Sequence, residues 1–320
     1  MKIKRTIDFS NMSNIKDWLV VVNPVSGNQK GLLDWSDIEQ KLIANKFDFQ
    51  AHFTEKRSDA TNIVKKYIES GGRKIIAVGG DGTLNEIVNG VVSQNHCSPC
   101  DVGIGIIPVG SGNDWCKMFA IPSDYSKAIE IIKMQQDVFH DVGYVKFNEG
   151  KETRYFVNVA GLGFDAAVVA NITRKKETKK GKKTSYLLSL ITSLMAYKKQ
   201  PASILVDDVL IDDKVFSMNV GICKYSGGGM MQVPFAVHDD NLLDVTIIKN
   251  ISKFDVVRNI KKLYDGSFTK HPKVETLRGQ KITINSTDKF LLEADGEILG
   301  KSPFEFGIIH KHIRFFVNIL

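Results

Sequence analysis

An aspartate stands among glycines where an apolar run changes into a helical pattern, in the stretch IIAVGGDGTLNEIVNG (75–90). Residues 75–78 are typical of a buried strand, and apolar residues recur at helical spacing from Leu84 onward. The turn between them therefore lies at the carboxyl end of a strand and at a helix N-terminus, where free N–H groups favour anions. Asp81 could orient a metal ion there or accept a hydroxyl proton, and an ordinary Asp-Gly turn is the alternative interpretation.

Two other turns have a similar composition and also follow predicted strands. GSGND (110–114) follows one apolar run, and NPVSG (23–27) follows the first. Glycines let the backbone turn sharply and approach a ligand closely. Three glycine- and amide-rich turns after parallel strands would line one edge of a sheet, so the pattern predicts a phosphate-bearing ligand.

Acids also cluster late in the chain. ADGE (294–297) places Asp295 and Glu297 in one short turn after an apolar run, where they could supply a general base and its orienting partner. An ordinary hairpin turn is the alternative interpretation of these residues. VHDDNLLD (237–244) offers carboxylates and carbonyls to a hard cation, although a solvated turn explains it equally well.

The usual nucleotide-binding motifs are absent. No G-x-x-x-x-G-K-[ST] sequence occurs. GLGFDA (161–166) fits G-x-G-x-x-A, but lysines crowd the segment after it and no clear acid follows at the expected distance. A dinucleotide site is therefore not predicted there.

Two textures divide the chain and predict an α/β plus all-β protein. Short apolar runs alternate with helical patterns up to about residue 140, which indicates a Rossmann-like parallel sheet covered on both faces. The predicted strands are 18–23, 47–53, 74–79 and 102–108, and the predicted helices are about 32–45, 58–70, 83–94 and 123–135.

Beyond Gly143 the apolar pattern takes a period of two. The predicted strands are 153–161, 203–211, 214–223, 242–249, 280–286 and 289–297. Several short strands without intervening helices indicate an antiparallel β-sandwich, here residues 141–306. The final run, 312–320, could add a strand to either half, and we assign about 307–320 to the first domain with residues 1–140.

The composition is that of a globular protein with an anionic partner. Of the 320 residues, 43% are hydrophobic and 25% charged, with a net charge of +7 and a pI near 9.0. We expect a cytoplasmic protein, because the N-terminus lacks the apolar core of a signal peptide and no window matches a spanning helix. Four cysteines make no disulfide framework, and the Cys97–Cys100 pair is most simply two reduced surface thiols.

A basic run followed by an apolar stretch interrupts the second half. Residues 173–185 are rich in Lys and Arg, and YLLSLITSLMAY (186–197) follows directly. Solvated surface is one interpretation, and an interfacial element that approaches a membrane is the other. A lipid-related function would favour the second.

With these pieces assembled, the sequence resembles the diacylglycerol kinase catalytic-domain family, which includes sphingosine kinases and soluble bacterial lipid kinases. The matches are NPVSG, the pair Thr54 and Ala60, GGDGTLNEIVNG, PVGSGNDW and DGE, in the family's order. The resemblance implies a nucleotide-binding α/β domain and an acceptor-binding β-sandwich, with the active site in the cleft between them.

The resemblance also implies roles for individual residues, with ATP and Mg²⁺ as cofactors. The implied nucleotide positions are Asn23, Thr54, Gly80, Asp81, Gly82, Thr83, Glu86, Gly110, Ser111 and Asp114. Asp81 and Asp114 would help to hold the catalytic Mg²⁺, and Asp295 would be the general base with Glu297 close by. A structural metal near Asp240 and the carbonyls of Val237 and Leu242 is also implied, although Asn241 stands where glycine is usual.

The implied reaction is transfer of the γ-phosphoryl group of ATP to a lipid hydroxyl at the membrane surface. An NAD kinase-like enzyme and a catalytically silent lipid- or nucleotide-binding protein are the alternatives. Nucleic acid is not expected as a partner, because the basic run lacks interleaved aromatics. The sequence leaves open the acceptor lipid, ATP against GTP, the role of Cys97 and Cys100, and the oligomeric state, including a homodimer.

Overall fold

The chain divides into two units in this computed structural model, which describes residues 16–177, 192–286 and 290–318. Unit 1 contains the residues up to Val142 and the segment from His310 onward, and unit 2 contains Gly143–Ile309. The chain passes from one unit to the other within β5 (Asp137–Phe147) and returns within β16 (Phe304–Phe316).

A parallel sheet forms the centre of unit 1, as the uninterrupted apolar runs predict. Its strands are β1 (Trp18–Val22), β2 (Phe49–Phe53), β3 (Lys74–Gly79) and β4 (Gly103–Pro108), in the order β2-β1-β3-β4. The final apolar run joins this sheet, because Arg314 and Phe315 of β16 pair in parallel with β4. The final apolar run of the sequence therefore adds a strand to the first half.

The helices of unit 1 are α1 (Ser26–Leu33), α2 (Trp35–Ala44), α3 (Asp59–Glu69), α4 (Asp81–Val92), α5 (Asp114–Met118) and α6 (Tyr125–Met134). The longer helices pack on this sheet because each buries an apolar stripe, whereas α1 buries only Gly31 and is distorted at Gly27–Gln29. The single helix predicted at 32–45 was wrong in its start: α1 ends before Asp34, which precedes α2 and accepts a hydrogen bond from the Tyr125 hydroxyl at 2.6 Å.

Antiparallel strands in two layers form unit 2. One layer has the order β12-β11-β10-β7-β14-β15, and the other contains β5, β6, β8, β9, β13 and the first part of β16. The further bounds are β6 (Glu152–Phe156), β7 (Val159–Gly163), β8 (Gln200–Val206), β9 (Val209–Val215), β10 (Ser217–Gly221), β11 (Leu243–Ile248), β12 (Val274–Gly279), β13 (Lys281–Asn285), β14 (Leu291–Ala294) and β15 (Glu297–Lys301). Apolar residues of both layers share one core, which confirms the sandwich.

Two predicted strands of this half are in fact pairs of strands. The stretch 203–211 contains the end of β8, a turn at Asp207 and the start of β9, and Asp207 has a positive φ of 47°. The stretch 153–161 is divided between β6 and β7. Asp207, Asp208 and Asn158 stand at the two breaks, but neither break contains glycine or proline, the strongest turn signals, so the apolar residues on both sides were interpreted as one strand.

Helical segments of unit 2 complete the description. α7 (Phe164–Glu177) follows β7, and α8 (Lys253–Asn259) continues into a 3-10 turn (Ile260–Leu263). The basic and apolar stretch at 173–197 lies largely outside the described residues, since these omit 178–191. Among the helices that are described, none is long and apolar enough to cross a membrane.

Candidate functional site

Two glycine turns of unit 1 lie against each other at the carboxyl ends of adjacent strands. β3 ends at Gly79 and β4 at Pro108, and the two strands pair side by side. A Cβ on Gly110 would lie 2.6 Å from the Cα of Gly80, and one on Gly80 would lie 3.0 Å from the Cα of Gly110. Only glycines allow this approach, so the turns after β3 and β4 form one structure.

Asp81 and Asp114 meet at this structure. Asp81 is the first residue of α4, and Asp114 is the first residue of α5. A Cβ on Gly112 would lie 3.1 Å from Oδ2 of Asp81 and 3.3 Å from Oδ2 of Asp114, so both carboxylates flank this glycine. The backbone N–H of Trp115 donates to Oδ1 of Asp81 at 3.0 Å, and Nζ of Lys117 lies 2.8 Å from Oδ1 of Asp114.

Electrostatics make this carboxylate pair unfavourable by itself. Burial raises the pKa of Asp81 above its usual value, and the nearby charge of Asp114 raises it further. A cation beside Asp81 would offset the cost of ionising this buried carboxylate next to Asp114. Mg²⁺ is commonly held by one or two carboxylates and keeps several waters, so the pair fits such an ion.

Further contacts join the turn after β1 to the turns after β3 and β4. Nδ2 of Asn23 donates to Oγ1 of Thr83 at 2.9 Å, which links the turn after β1 to the first turn of α4. Gly27 has a φ of 58°, and its Cβ would lie 1.9 Å from the carbonyl oxygen of Val109. Sequence reasoning predicted three turns on one sheet edge, and these contacts join them.

Open space remains beside Gly82 at the start of α4. A Cβ at Gly82 would meet no heavy atom within 4 Å beyond its chain neighbours and the backbone of its own helix, in contrast to a Cβ at Gly80 or Gly110. Beside Gly80 and Gly110, Oδ1 of Asn113 is buried with no hydrogen-bond partner among the described residues. Sequence reasoning did not assign Asn113, although it lies within the GSGND turn. A helix N-terminus with room beside it is suited to a phosphate group.

The remaining predicted nucleotide positions differ in their surroundings. Glu86 accepts hydrogen bonds from the backbone N–H groups of Ser58 at 2.9 Å and Ala60 at 3.1 Å, so its carboxylate caps the N-terminus of α3. Thr54 follows β2, where its N–H donates to the carbonyl of Val22. Ser111 is exposed in the turn after β4. Glu86 therefore has a positioning role in the fold of unit 1, and the nucleotide role that the resemblance implies stays a prediction.

Asp295 and Glu297 lie in unit 2, at the hairpin between β14 and β15. Ala294 pairs with Glu297, so Asp295 and Gly296 form a two-residue turn with φ values of 47° and 86°. Asp-Gly is favoured in such turns because both positions need a positive φ. The hairpin interpretation of these letters was therefore correct, and it does not compete with a chemical role.

The hairpin holds the Asp295 carboxylate in a defined orientation. The backbone N–H of Val157 donates to Oδ2 at 3.2 Å, and that of Val159 donates to Oδ1 at 3.1 Å. Glu297 forms an ion pair with Arg154, whose Nη2 lies 2.7 Å from Oε2 of Glu297. The guanidinium thus positions the second acid of the turn.

A buried acid, Glu293, and a partly buried one, Asp165, near this hairpin escaped the sequence analysis. Glu293 is 4% exposed, and burial raises its pKa to about 8. Burial also raises the pKa of Asp165, which accepts hydrogen bonds from Ser217, from Asn219 at 3.1 Å and from Gln232 at 3.3 Å. The other residues of β14 are apolar, so the sequence pattern did not indicate a functional role for Glu293.

A glycine makes room for these groups. A Cβ on Gly161 would lie 2.7 Å from Oε1 of Glu293, 3.1 Å from Cβ of Asp165 and 3.2 Å from Oδ1 of Asn219. This is the first glycine of GLGFDA, so the glycine serves side-chain packing at the end of β7. Oδ1 of Asn219 is buried and has no hydrogen-bond partner in the described part of the chain.

An apolar cavity adjoins this polar cluster in unit 2. Its walls include Phe164, Phe216, Ile248, Ile251, Leu263 and Phe268, and its polar wall includes Asp165, Ser217, Asn219 and Gln232. Apolar walls with a few convergent polar groups are typical of ligand sites. The orphaned acceptor of Asn219 would suit a ligand that donates a hydrogen bond.

The predicted structural-metal residues lie in a turn whose acids already pair with the side chain of Arg278. Asp240 forms an ion pair with Arg278, whose Nε is also 3.0 Å from Asp244. The N–H of Leu242 donates to Oδ1 of Asp240 at 3.1 Å. Asn241 has a φ of 64°, so it adopts the backbone conformation of the glycine usual there. A metal at Asp240 and the carbonyls of Val237 and Leu242 stays a prediction.

Comparisons with known proteins agree with this arrangement. Residues 17–145 match the diacylglycerol kinase catalytic domain, and residues 158–317 match the YegS C-terminal NAD kinase beta sandwich-like domain. A diacylglycerol kinase of Staphylococcus saprophyticus is 30% identical over 297 residues, covering 93% of this chain and 94% of that protein. One of Staphylococcus epidermidis is 31% identical, covering 93% and 90%.

A solved structure shares the fold. The crystal structure of a diacylglycerol kinase from Bacillus anthracis strain Sterne has a TM-score of 0.70 at 21% identity, covering 95% of this chain and 97% of that one. Family models match both halves of the chain, and relatives near 30% identity match almost its whole length. The chain belongs to the diacylglycerol kinase catalytic-domain family, and it is a lipid kinase.

Proposed function

We propose that this lipid kinase transfers the γ-phosphoryl group of ATP, in a Mg²⁺-dependent reaction, to the hydroxyl of a diacylglycerol, a sphingoid base or a related lipid. The observation that carries the proposal is the pair Asp81 and Asp114, which flank Gly112 at the N-termini of two helices. Phosphoryl transfer depends mainly on positioning and on neutralising charge, and this part of unit 1 offers groups for both.

The phosphate-binding part of the proposal rests on the joined glycine turns. Backbone N–H groups at the start of α4 would bind phosphate oxygens in the space beside Gly82. Asp81 and Asp114 would hold Mg²⁺ and its waters, because both carboxylates flank Gly112 and the charge of Asp114 raises the pKa of Asp81. When bound, Mg²⁺ neutralises charge on the β- and γ-phosphate oxygens. Asn23 would fix Thr83 at the edge of this site.

The acceptor part rests on the cavity of unit 2. Its apolar walls suit an alkyl chain, and burying such a chain is favourable by about 0.8 kcal/mol per CH₂ group. Asn219 and Asp165 lie in its wall, where they would accept hydrogen bonds from a lipid headgroup.

Asp295 is the proposed general base that accepts the proton of the attacking lipid hydroxyl. Two backbone N–H bonds orient its carboxylate, and Arg154 holds Glu297 two residues away. A general base must keep a fixed direction towards the hydroxyl it deprotonates, and these bonds provide such a constraint. The protein would meet its substrate by peripheral association with a membrane.

The test is transfer of labelled phosphate from ATP–Mg²⁺ to a panel of lipids in mixed micelles, with NAD as an additional acceptor. Asp295→Asn should lower kcat by about 10²- to 10⁴-fold, the usual contribution of a general base. Asp207→Asn is the matched control, because Asp207 also lies in a hairpin at a φ of 47° and accepts backbone N–H bonds from Gln280 and Lys281. Its activity should match that of the wild type.

Other outcomes would change the proposal. Labelled NAD without labelled lipid would refute the lipid acceptor. Labelled lipid from Asp295→Asn at the wild-type rate would refute the base and keep the enzyme class. No transfer without added Mg²⁺, with recovery upon its addition, is the expected metal dependence.

A further inference from the structure

A short helical stretch of unit 2 forms one wall of the cavity and has an unusual outer face. α8 (Lys253–Asn259) continues directly into the 3-10 turn of Ile260–Leu263. Ser252 caps this stretch, since its Oγ accepts the N–H of Asp255 at 3.0 Å and lies 2.7 Å from the Asp255 carboxylate. We call residues 253–264 the docking segment.

The inner face of the docking segment belongs to the cavity. Val256, Asn259, Ile260 and Leu263 line it, and they follow one another at the spacing of one helix face. A helix that buries one apolar stripe normally presents polar residues on its other side.

The outer face of the docking segment is apolar as well. Phe254 is 73% exposed, Val257 54% and Tyr264 55%. Nζ of Lys253 donates to the carbonyl of Met195 at 2.6 Å, which brings a further exposed apolar side chain beside them. Apolar side chains grouped on a surface mark an interaction site more often than scattered ones do.

Cations accompany these apolar side chains. The docking segment contains Lys253, Arg258, Lys261 and Lys262 and one acid, Asp255. In the part of the chain that the structure describes, Arg258 and Lys261 form no ion pair, and the charge of Lys262 interacts with that of Asp265, the residue after the segment. An outer face of exposed aromatic and aliphatic side chains with an excess of cations is complementary to an anionic lipid surface, which offers an apolar boundary beneath negative headgroups.

We infer that the docking segment binds the surface of an anionic lipid bilayer through Phe254, Val257 and Tyr264, with Arg258, Lys261 and Lys262 on the headgroups. The same stretch would then form the cavity wall and rest on the membrane. This inference rests on the proposed function only for the origin of the acceptor lipid, and binding itself is measurable without catalysis.

The experiment is co-sedimentation of the full chain with vesicles of phosphatidylcholine containing phosphatidylglycerol, and with phosphatidylcholine alone. Binding should need the anionic lipid. Lys261→Gln/Lys262→Gln should weaken it about 30-fold, because each surface cation contributes about fivefold. Phe254→Ser/Val257→Ser should weaken it at least about tenfold through lost apolar burial.

Matched controls come from the same unit. Leu210 is 59% exposed on β9, and Lys214 is exposed on the same strand. Leu210→Ser and Lys214→Gln should bind vesicles as the wild type does. Equal binding of the docking-segment variants and these controls would refute the inference, and so would a wild-type chain that does not bind the anionic vesicles.

Insertion is measured separately with Phe254→Trp. The three native tryptophans, Trp18, Trp35 and Trp115, are all buried, so the difference from wild type reports the new side chain. Its emission should shift to the blue on anionic vesicles, whereas that of Leu210→Trp should not. An unshifted emission would refute insertion at this face.

Kinase activity distinguishes this inference from the proposed function. With a water-soluble short-chain acceptor and no vesicles, the docking-segment variants should keep wild-type activity while losing activity on vesicle-borne acceptor. A chain that binds vesicles through the segment but phosphorylates no lipid would refute the proposed function alone. Loss of activity on both acceptors by these variants would refute a role confined to docking.

Discussion

At the residue scale, the buried acid Glu293 of unit 2 has the strongest consequences. Glu293 accepts a hydrogen bond from the N–H of Gly296 at 2.8 Å, within the hairpin that carries Asp295. Burial raises its pKa to about 8, and Asp165 and Asp295 add to the shift. Glu293 therefore keeps its proton at neutral pH and packs beneath the proposed base as a neutral acid.

Glu293→Gln should remove a pH dependence of stability. The unfolded chain releases the proton near pH 4.5 and the folded chain near pH 8, so the wild type loses stability as pH rises between these values. The Gln variant should lack this loss, which makes its advantage larger at pH 8 than at pH 6 by on the order of 1–3 kcal/mol. Urea unfolding at both pH values measures it, and a constant difference would contradict the raised pKa.

Asp81 should couple Mg²⁺ binding to pH. Its folded pKa is raised above 3.8, so its ionisation costs folding free energy as pH rises through that range, and a bound cation would offset this cost. Mg²⁺ should therefore raise the Tm at pH 7.5, and the rise should shrink as the pH falls and protons compete for the carboxylate.

Asp114→Asn should reduce this Mg²⁺-induced rise in Tm and lower the pKa of Asp81, because it removes the second carboxylate. The control is Asp59→Asn. Asp59 likewise begins a helix, and its carboxylate accepts the N–H of Glu55 at 2.8 Å. A Mg²⁺ effect of the same size in Asp114→Asn and Asp59→Asn would show that the metal binds elsewhere.

At the element scale, the glycine turns differ in what their missing side chains allow. Gly110 is required by packing, because its Cβ would enter the backbone of the neighbouring turn. Gly82 has no such constraint, as a Cβ there would meet open space. The space beside Gly82 is therefore available to a ligand, whereas that beside Gly110 is filled by the protein.

Gly82→Ala and Gly110→Ala should separate these roles. Gly82→Ala should leave the Tm unchanged or raise it slightly, since alanine favours a helix by up to about 1 kcal/mol over glycine. The KM for ATP should nevertheless rise at least about tenfold, because the methyl group would occupy the phosphate space. Thermal unfolding and steady-state kinetics check both values.

Gly110→Ala should instead unfold more easily, by about 1–3 kcal/mol, because the turns after β3 and β4 must separate to admit a Cβ. A destabilised Gly82→Ala with an unchanged KM would contradict the assignment of the phosphate site. So would a Gly110→Ala chain that is as stable as the wild type.

At the scale of the whole molecule, the two units can be observed separately. Trp18, Trp35 and Trp115 all lie in unit 1, so tryptophan fluorescence follows the unfolding of that unit, whereas circular dichroism follows both. A ligand stabilises the state to which it binds.

A non-hydrolysable ATP analogue with Mg²⁺ should raise the midpoint of the tryptophan transition. At 100 times its Kd the stabilisation is about 2.7 kcal/mol. The analogue should have little effect in the double variant Asp81→Asn/Asp114→Asn. This variant is the control for non-specific binding. A tryptophan midpoint that the analogue does not move would contradict nucleotide binding by unit 1.

The sequence by itself determined the two textures, the order of the strands and helices in unit 1, and the turns that hold Asp81, Asp114 and Asp295. These features depend on local periodicity and on turn residues, which the letters display directly. It erred where a turn had no glycine or proline, as at Asp207, and in predicting a single helix at 32–45 where α1 begins at Ser26 and α2 at Trp35.

Only the tertiary structure decided what these local features contact. The joining of Gly80 to Gly110, the capping of α3 by Glu86, and the cavity walled by Phe164 and Leu263 depend on residues far apart in the chain. Glu293 stands between apolar neighbours, and only the strand beside it, with Gly161, gives its carboxyl a place. Burial and neighbouring charge set the pKa of such a group, and no local pattern contains either.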